Sequence, residues 1–271
     1  MKKLLLLFLL AFLAVPIASA EESVVTLTTT LDEGASIKLY TWADSMDDAF
    51  TIDWGDGVEK IYNKVKPSWT YGSEITGKLG ASKTITIKGD ITYLEIKEMQ
   101  ISAATFANTK LKEVDMEKNQ LTDFNLSGLP EVTKLSLNEN SIVTFSSTGN
   151  SVLKNLGLKS NKIDSHQFEI SSLANSLEQL NVSENGENFV ALNLINFDKL
   201  QYFTANDNPE LTTVVFYDGS TNLKQISMNN CHIMHFYAIS LPNLNSLNLS
   251  NNALLDFENG TYPNLSTLSV N

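Results

Sequence analysis

The sequence of 271 residues contains no arginine and only one cysteine, and its 19 basic residues are all lysines. A single cysteine can form neither an internal disulfide nor a zinc site built from several cysteines. The 31 acidic residues set a formal net charge of −12, which argues against a nucleic-acid partner because phosphate binding needs clustered lysine and arginine. With 42% apolar residues the chain is too hydrophobic to be disordered, and its 28 asparagines are the excess to explain.

The N-terminus reads as an export signal. Lys2 and Lys3 precede an apolar run from Leu4 to Val15, and the small residues Ala18-Ser19-Ala20 follow it. That run is shorter than the ~20 residues of a membrane-spanning helix, and no later segment is long and apolar enough to span a bilayer. The pattern predicts a signal peptide over residues 1–20 and a protein that is secreted, periplasmic or held at the cell surface.

A repeat of 20 to 24 residues fills the last two thirds of the chain. Its clearest copy has apolar residues at 244, 247, 249 and 254 and an asparagine at 252. Copies start at Ile91, Leu111, Val132, Leu153, Leu177, Leu200, Leu223, Leu244 and Leu265. The first copy is degenerate and the last is cut short at Asn271, which favours a fragment of a longer protein. A terminal cap of the kind that covers the last turn of a solenoid is not evident.

The repeat predicts its own architecture. Alternating apolar residues such as Leu247 and Leu249 fit a short strand with one buried face, and stacked copies make a parallel sheet. An asparagine side chain can satisfy backbone groups where the chain turns into the core, so the recurrent asparagine predicts a buried ladder. Proline and the short period leave no room for a long helix, which predicts an irregular opposite side with short 3₁₀ pieces. The ladder positions are Asn119, Asn140, Asn161, Asn185, Asn208 and Asn252, with Cys231 in the same column.

Residues 21–90 have a different pattern, which predicts a small β domain that caps the first repeat. Short runs of β-branched and aromatic residues there indicate strands. Gly55-Asp56-Gly57 is a strong hairpin turn. The predicted strands are Val24 to Thr30, Ser36 to Trp42, Ala49 to Trp54, Val58 to Tyr62 and Lys83 to Lys88.

Eight or nine copies of L-x-x-L-x-L-x-x-N/C-x-L in register resemble leucine-rich repeat proteins. The short repeats are similar to those of secreted and surface proteins of bacteria, such as the internalins and related Bacteroidetes proteins. The string Ile52-Asp53-Trp54-Gly55-Asp56-Gly57 is similar to the W-G-D-G signature of PKD-like sandwich domains. The resemblance implies a right-handed β-rich solenoid over residues 91–271 with a parallel sheet on its concave face, a sandwich-like cap before it, and a protein-binding or adhesive function.

The sequence offers little for catalysis or metal binding. Cys231, His232 and His235 lie close together, but the cysteine belongs to the ladder and a fourth zinc ligand is not evident. Asp53 and Asp56 could hold calcium, although an Asp-Gly turn needs no metal. Motifs for a nucleophile, a zinc protease or a phosphate loop are missing. We therefore expect no enzyme activity, no cofactor and no resident metal.

The outward side chains of the predicted sheet are the expected binding surface. Charges collect in the first three repeats, whereas the later positions are small, neutral and rich in amides. The predicted ligand-binding residues are Gln179, Asn181, Tyr202, Thr204, Asn206, Gln225, Asn229 and Asn248.

Three interpretations of this surface stay open. A protein ligand would use aromatic or arginine anchors, and here there are only Tyr93 and Tyr202. A glycan would suit amide and hydroxyl groups beside a tyrosine that can stack on a sugar ring. The polar residues could also serve only to keep the face soluble. The family resemblance favours a protein ligand, with a glycan as the alternative.

Overall fold

The computed structural model describes residues 21–45, 49–63, 74–216, 221–236, 240–257 and 261–270. The predicted signal peptide lies outside these residues. Within them, no helix has both the length and the apolar character that crossing a membrane would require.

Eight strands form the first part of the fold. β4, β3, β6, β1 and β8 make a five-stranded antiparallel sheet in that order, whereas β2, β5 and β7 belong to a second sheet. The five strands predicted before residue 90 are confirmed to within one residue, and β5 was missed. The bounds are Val24–Thr29, Ser36–Ala43, Phe50–Asp53, Glu59–Tyr62, Glu74–Lys78, Thr84–Lys88, Ile91–Glu95 and Ile101–Ala107 for β1 to β8.

The repeats form a β-solenoid of about eight turns, as predicted. Each turn contributes one short strand to a long parallel sheet, and in the strands from β9 to β21 the middle residue, such as Leu156, is buried in the core. After β7, this sheet contains β9 (Glu113–Asp115), β11 (Lys134–Ser136), β13 (Asn155–Gly157), β15 (Gln179–Asn181), β17 (Tyr202–Thr204), β19 (Gln225–Ser227), β21 (Ser246–Asn248) and β23 (Thr267–Ser269).

In the turns from β9 to β21 the other side carries a second short strand, here called a flank strand. The two short 3₁₀ helices at Ser165–Gln167 and Ser171–Leu173 agree with the expectation for this side, but its parallel strands were not predicted. The flank strands pair as β10-β12-β14, β16-β18 and β20-β22. They are β10 (Asp123–Asn125), β12 (Thr144–Ser146), β14 (Phe168–Glu169), β16 (Ala191–Asn193), β18 (Thr213–Val215), β20 (His235–Phe236) and β22 (Asp256–Phe257).

The asparagine ladder is confirmed in its bonding pattern. The Nδ2 group of Asn161 donates to the carbonyl oxygens of Leu158 in its own turn and Leu137 in the preceding turn, both at 3.0 Å. Its Oδ1 accepts the backbone N–H of Ile142 at 3.0 Å. Each side chain therefore joins two turns where the backbone would otherwise be buried without partners. The same Nδ2 pattern recurs at Asn119, Asn140, Asn185, Asn208 and Asn252.

The residue before each ladder position has a left-handed backbone. Its φ lies between 56° and 59°, although it is never glycine. This conformation turns the chain sharply, so that the carbonyls two and three residues before the asparagine face its Nδ2 group. Non-glycine residues enter this region at a cost, so the hydrogen bonds of the ladder hold them there. The residues are Lys118, Glu139, Ser160, Glu184, Asp207, Asn230 and Asn251.

Cys231 occupies one rung, and its Sγ donates to the Ala205 carbonyl at 3.1 Å. Burial raises the pKa of this thiol from 9.0 to about 11. A raised folded-state pKa stabilises the fold at pH values below the unfolded pKa, and the contribution disappears as pH rises through the folded pKa. We therefore expect the stability difference between the wild type and Cys231→Ala to shrink by on the order of 2 kcal/mol between pH 9 and pH 11.

Urea unfolding of both proteins at each pH measures this difference, and the comparison cancels the titration of the other groups. A difference that stays constant from pH 7 to pH 11 would show that the thiol titrates alike in the folded and unfolded chains.

Candidate binding face

The outward side chains of the long sheet lie in straight columns, because the register between turns has no shift from β7 to β23. Gln179, Tyr202 and Gln225 are directly paired neighbours, and so are Asn181 and Thr204. Asn248 lies in the next turn and pairs with Ser227. Asn206 and Asn229 follow two residues after their strands. All eight predicted residues thus share one surface across four consecutive turns, here called the binding face.

Four of these residues have side chains available for a ligand. Gln179, Tyr202 and Gln225 are exposed and Thr204 is half-buried. Within the described part of the chain, none of the four uses its polar side-chain atoms in a hydrogen bond. Tyr202 is 39% exposed, and the Lys224 ammonium lies 5.8 Å from the centroid of its ring. An aromatic ring with free amides on both sides can anchor a ligand by packing and by hydrogen bonds.

The asparagines of the face are partly committed to the fold. Oδ1 of Asn206 accepts the Asn229 N–H at 3.0 Å and the Ser227 hydroxyl at 2.8 Å. Oδ1 of Asn181 and Oδ1 of Asn248 each accept the N–H two residues later, at 3.1 Å. These side-chain oxygens therefore stabilise the backbone that follows each strand. Asn181 and Asn206 can still offer a ligand their side-chain N–H groups.

A depression of about 310 Å³ lies beside Tyr202 in the middle of the face. Gly157 forms its floor, and a Cβ atom there would come within 3.1 Å of both side-chain polar atoms of Asn138. Lys134, Asn155 and Gln179 are at its edge. Sequence reasoning did not select Lys134, Asn155 or Gly157, although a glycine in a column of side chains indicates a local hollow.

The N-terminal end of the sheet is charged and internally paired. Lys97 contacts Asp115 at 2.6 Å and Glu117 at 3.6 Å. Burial raises the pKa of Asp115 despite the lysine. Burial also opposes ionisation of Glu117, but hydrogen bonds from Ser136 and Asn138 and the Lys97 charge outweigh it and lower its pKa. These groups neutralise one another, so the free polar groups of the face lie further along, around Tyr202.

The two sequence candidates for metal binding have other roles in the fold. Cys231 is buried in the ladder, whereas His232 is exposed. Asp53 Oδ1 accepts the N–H groups of Gly55 and Gly57, at 2.8 and 3.0 Å, and so shapes the hairpin turn. In the described residues, no three His, Cys, Asp or Glu side chains are grouped so that they could hold a metal ion.

One of the solved structures with a similar fold allows a comparison. It is the functional domain of InlJ from Listeria monocytogenes, with a TM-score of 0.52 and 19% sequence identity over 71% of this chain and 43% of that chain. The fold is an internalin-like leucine-rich repeat solenoid. The chain spans less than half of the InlJ chain, and at this identity the likeness concerns the fold alone. No family model matches the sequence, and no curated protein matches it.

The InlJ domain is described as including a cysteine ladder. In this chain the ladder is built from asparagine, with Cys231 as the one cysteine. Asparagine offers two donor hydrogens and an acceptor where a thiol offers one weak donor and a weak acceptor. Part of the asparagine excess is therefore structural.

Proposed function

We propose that this chain is an exported, non-enzymatic binding module that recognises a protein ligand through the binding face. The observation that carries the proposal is the arrangement around Tyr202: a half-exposed ring between free amides, beside a depression, on a rigid parallel sheet. The internalin-like fold supports a protein ligand. The basic and apolar N-terminus supports export to the periplasm, the cell surface or the medium.

A glycan is the second candidate ligand. The free groups of the face are amides and hydroxyls rather than charges, and Tyr202 offers a ring on which a sugar could stack.

The resemblance of residues 52–57 to PKD-like domains also fits the proposal of an extracellular protein. In this proposal the N-terminal β domain is a cap that covers the first turn. The predicted boundary at residue 90 stays a prediction.

Tyr202→Ala should weaken ligand binding by roughly 30-fold, the effect of losing an aromatic anchor worth about 2 kcal/mol at the centre of an interface. Labelled wild-type protein would be applied to an array of purified surface and extracellular proteins and, in parallel, to a glycan array. Dissociation constants of the best binder would then be measured for wild type and variant by biolayer interferometry.

Val215→Ala is the matched control, because Val215 is 38% exposed but lies on a flank strand. Loss of binding to a protein in Tyr202→Ala alone supports the proposal, and the same loss for a glycan supports the alternative. Equal affinities of wild type and Tyr202→Ala would remove Tyr202 from the site.

A further inference from the structure

The row of flank strands is interrupted between β14 and β16. The long sheet runs without a break through these turns, but β14 ends one flank sheet and β16 begins the next. The turn that contains β14 carries both 3₁₀ helices, and the following turn delays its apolar residue to Phe189. With this extra chain β14 and β16 are not paired, although their turns remain paired in the long sheet.

The backbones of both strands face this opening. Glu169 is bonded to β12 through its carbonyl, which accepts the Ser147 N–H at 2.8 Å. Leu194 is likewise bonded to β18 through its N–H, which donates to Val215 at 2.9 Å. Because successive residues of a strand point their backbone groups to opposite sides, Phe168 and Asn193 turn theirs toward each other.

Few of these backbone groups have a partner in the described part of the chain. Ser165 Oγ accepts the N–H groups of Val190 and Ala191, at 2.9 and 3.1 Å, at one end of the opening. Beyond it, no hydrogen bond joins β14 with β16, and both carbonyl and N–H of Phe168 and Asn193 are unpaired. Two unpaired strand edges facing one gap are the hydrogen-bonding pattern that an additional strand satisfies.

The opening is a cavity of about 440 Å³, here called the flank slot. This is within the range of about 300–1,000 Å³ found for ligand pockets. Phe168, Leu192 and Phe197 line it, and Ile195 at its edge is 37% exposed. Its one charged lining residue is Glu169, whose pKa is lowered by hydrogen bonds from the Ser171 side chain and N–H. The slot thus offers apolar side chains beside polar ones, and it has one negative charge, at Glu169.

We propose that the flank slot binds an extended polypeptide segment, which fills the gap as a strand between β14 and β16. The ligand carries apolar residues at alternate positions, facing Phe168 and Ile195, and a lysine or arginine beside Glu169. Backbone edges on both sides select a peptide rather than a sugar, because a peptide in extended form offers N–H and C=O groups alternately to both neighbours. This site lies on a different side of the solenoid from Tyr202 and is independent of the binding face.

The probe is a library of random linear heptapeptides displayed on phage, selected against the full chain. Enriched peptides would be synthesised with a fluorophore and titrated by fluorescence anisotropy. Enrichment of peptides with alternating apolar residues and a basic residue near one end is the expected result. Ile195→Gln should weaken their binding at least tenfold, whereas Val215→Gln, an equally exposed apolar residue outside the slot, and Tyr202→Ala should leave it unchanged.

Peptides methylated at alternate backbone nitrogens test the strand itself. A strand that pairs on both sides uses every N–H, so methylation in either of the two registers should abolish binding. The proposal is overturned if no peptide is enriched, if Ile195→Gln and Val215→Gln weaken binding equally, or if one methylated register still binds. Circular dichroism of each variant confirms that the fold is retained.

Discussion

Asn161→Ala is expected to lower the free energy of unfolding by about 3 kcal/mol. Of the carbonyls bound by Asn161, those of Leu137 and Leu158 keep a second partner, because Asn140 also donates to Leu137 and Asn185 also donates to Leu158. The Ile142 N–H loses its acceptor and stays buried. The estimate combines this orphaned donor, at about 1–3 kcal/mol, with the loss of the hydrogen bonds to the Leu137 and Leu158 carbonyls, at about 0.5 kcal/mol each because each carbonyl keeps another donor.

Urea unfolding followed by circular dichroism measures the change, which corresponds to an ~1 M lower midpoint at a slope of about 3 kcal/mol per M. Asn155→Ala is the control, since it removes the same side chain from the binding face, where Asn155 makes no side-chain hydrogen bond in the described structure. It should change the free energy of unfolding by less than about 0.5 kcal/mol. Similar losses in both variants would mean that the ladder contributes no more than an ordinary surface amide.

Gly128→Ala is expected to destabilise the protein by about 2–3 kcal/mol. A Cβ atom at this position would lie 1.9 Å from the carbonyl oxygen of Phe106. Phe106 belongs to β8, which the pairing with β1 holds in the five-stranded sheet, and the Gly128 carbonyl accepts the Thr109 hydroxyl at 2.6 Å. Neither backbone can retreat without breaking hydrogen bonds where the first sheet meets the solenoid.

Thermal and urea unfolding of Gly128→Ala would be compared with Gly34→Ala. Gly34 has a φ of +82°, and an added Cβ atom there would have no other atom within 4 Å, so alanine costs only the backbone strain of about 1 kcal/mol. If Gly128→Ala were as stable as Gly34→Ala, Gly128 and the Phe106 carbonyl would have to lie further apart than they do in the structure.

The architecture follows from the repeat because its period controls both periodic features at once. Leu156 and its equivalents recur at one position per turn, so stacking puts them in one buried column. Asn161 recurs five residues later and meets the carbonyls of two turns. The left-handed residue before it, such as Ser160 or Glu139, has no signature in residue type, so its conformation could not be predicted.

The sequence predicted which side chains share the binding face but not which of them are hydrogen-bonded within the fold. The columns through Gln179, Tyr202 and Gln225 follow from strand register alone. That Asn206 serves its neighbours while Tyr202 stays free depends on distances between turns, which the sequence does not contain. The same holds for three asparagines outside the ladder and the face: Asn150 is buried and bonds two carbonyls, and Asn243 and Asn264 each bond a carbonyl of the preceding turn.

The sequence by itself determined the solenoid, the ladder and the identity of the outward residues, because each depends on a period that is visible in one dimension. The tertiary structure decided how β2 and β5 extend the long sheet and where the flank strands separate. Both features depend on the number of residues that each turn must fit between its strands. Insertions such as the one at Ser171–Leu173 change that length locally, and only the folded chain shows which neighbouring strands they move apart.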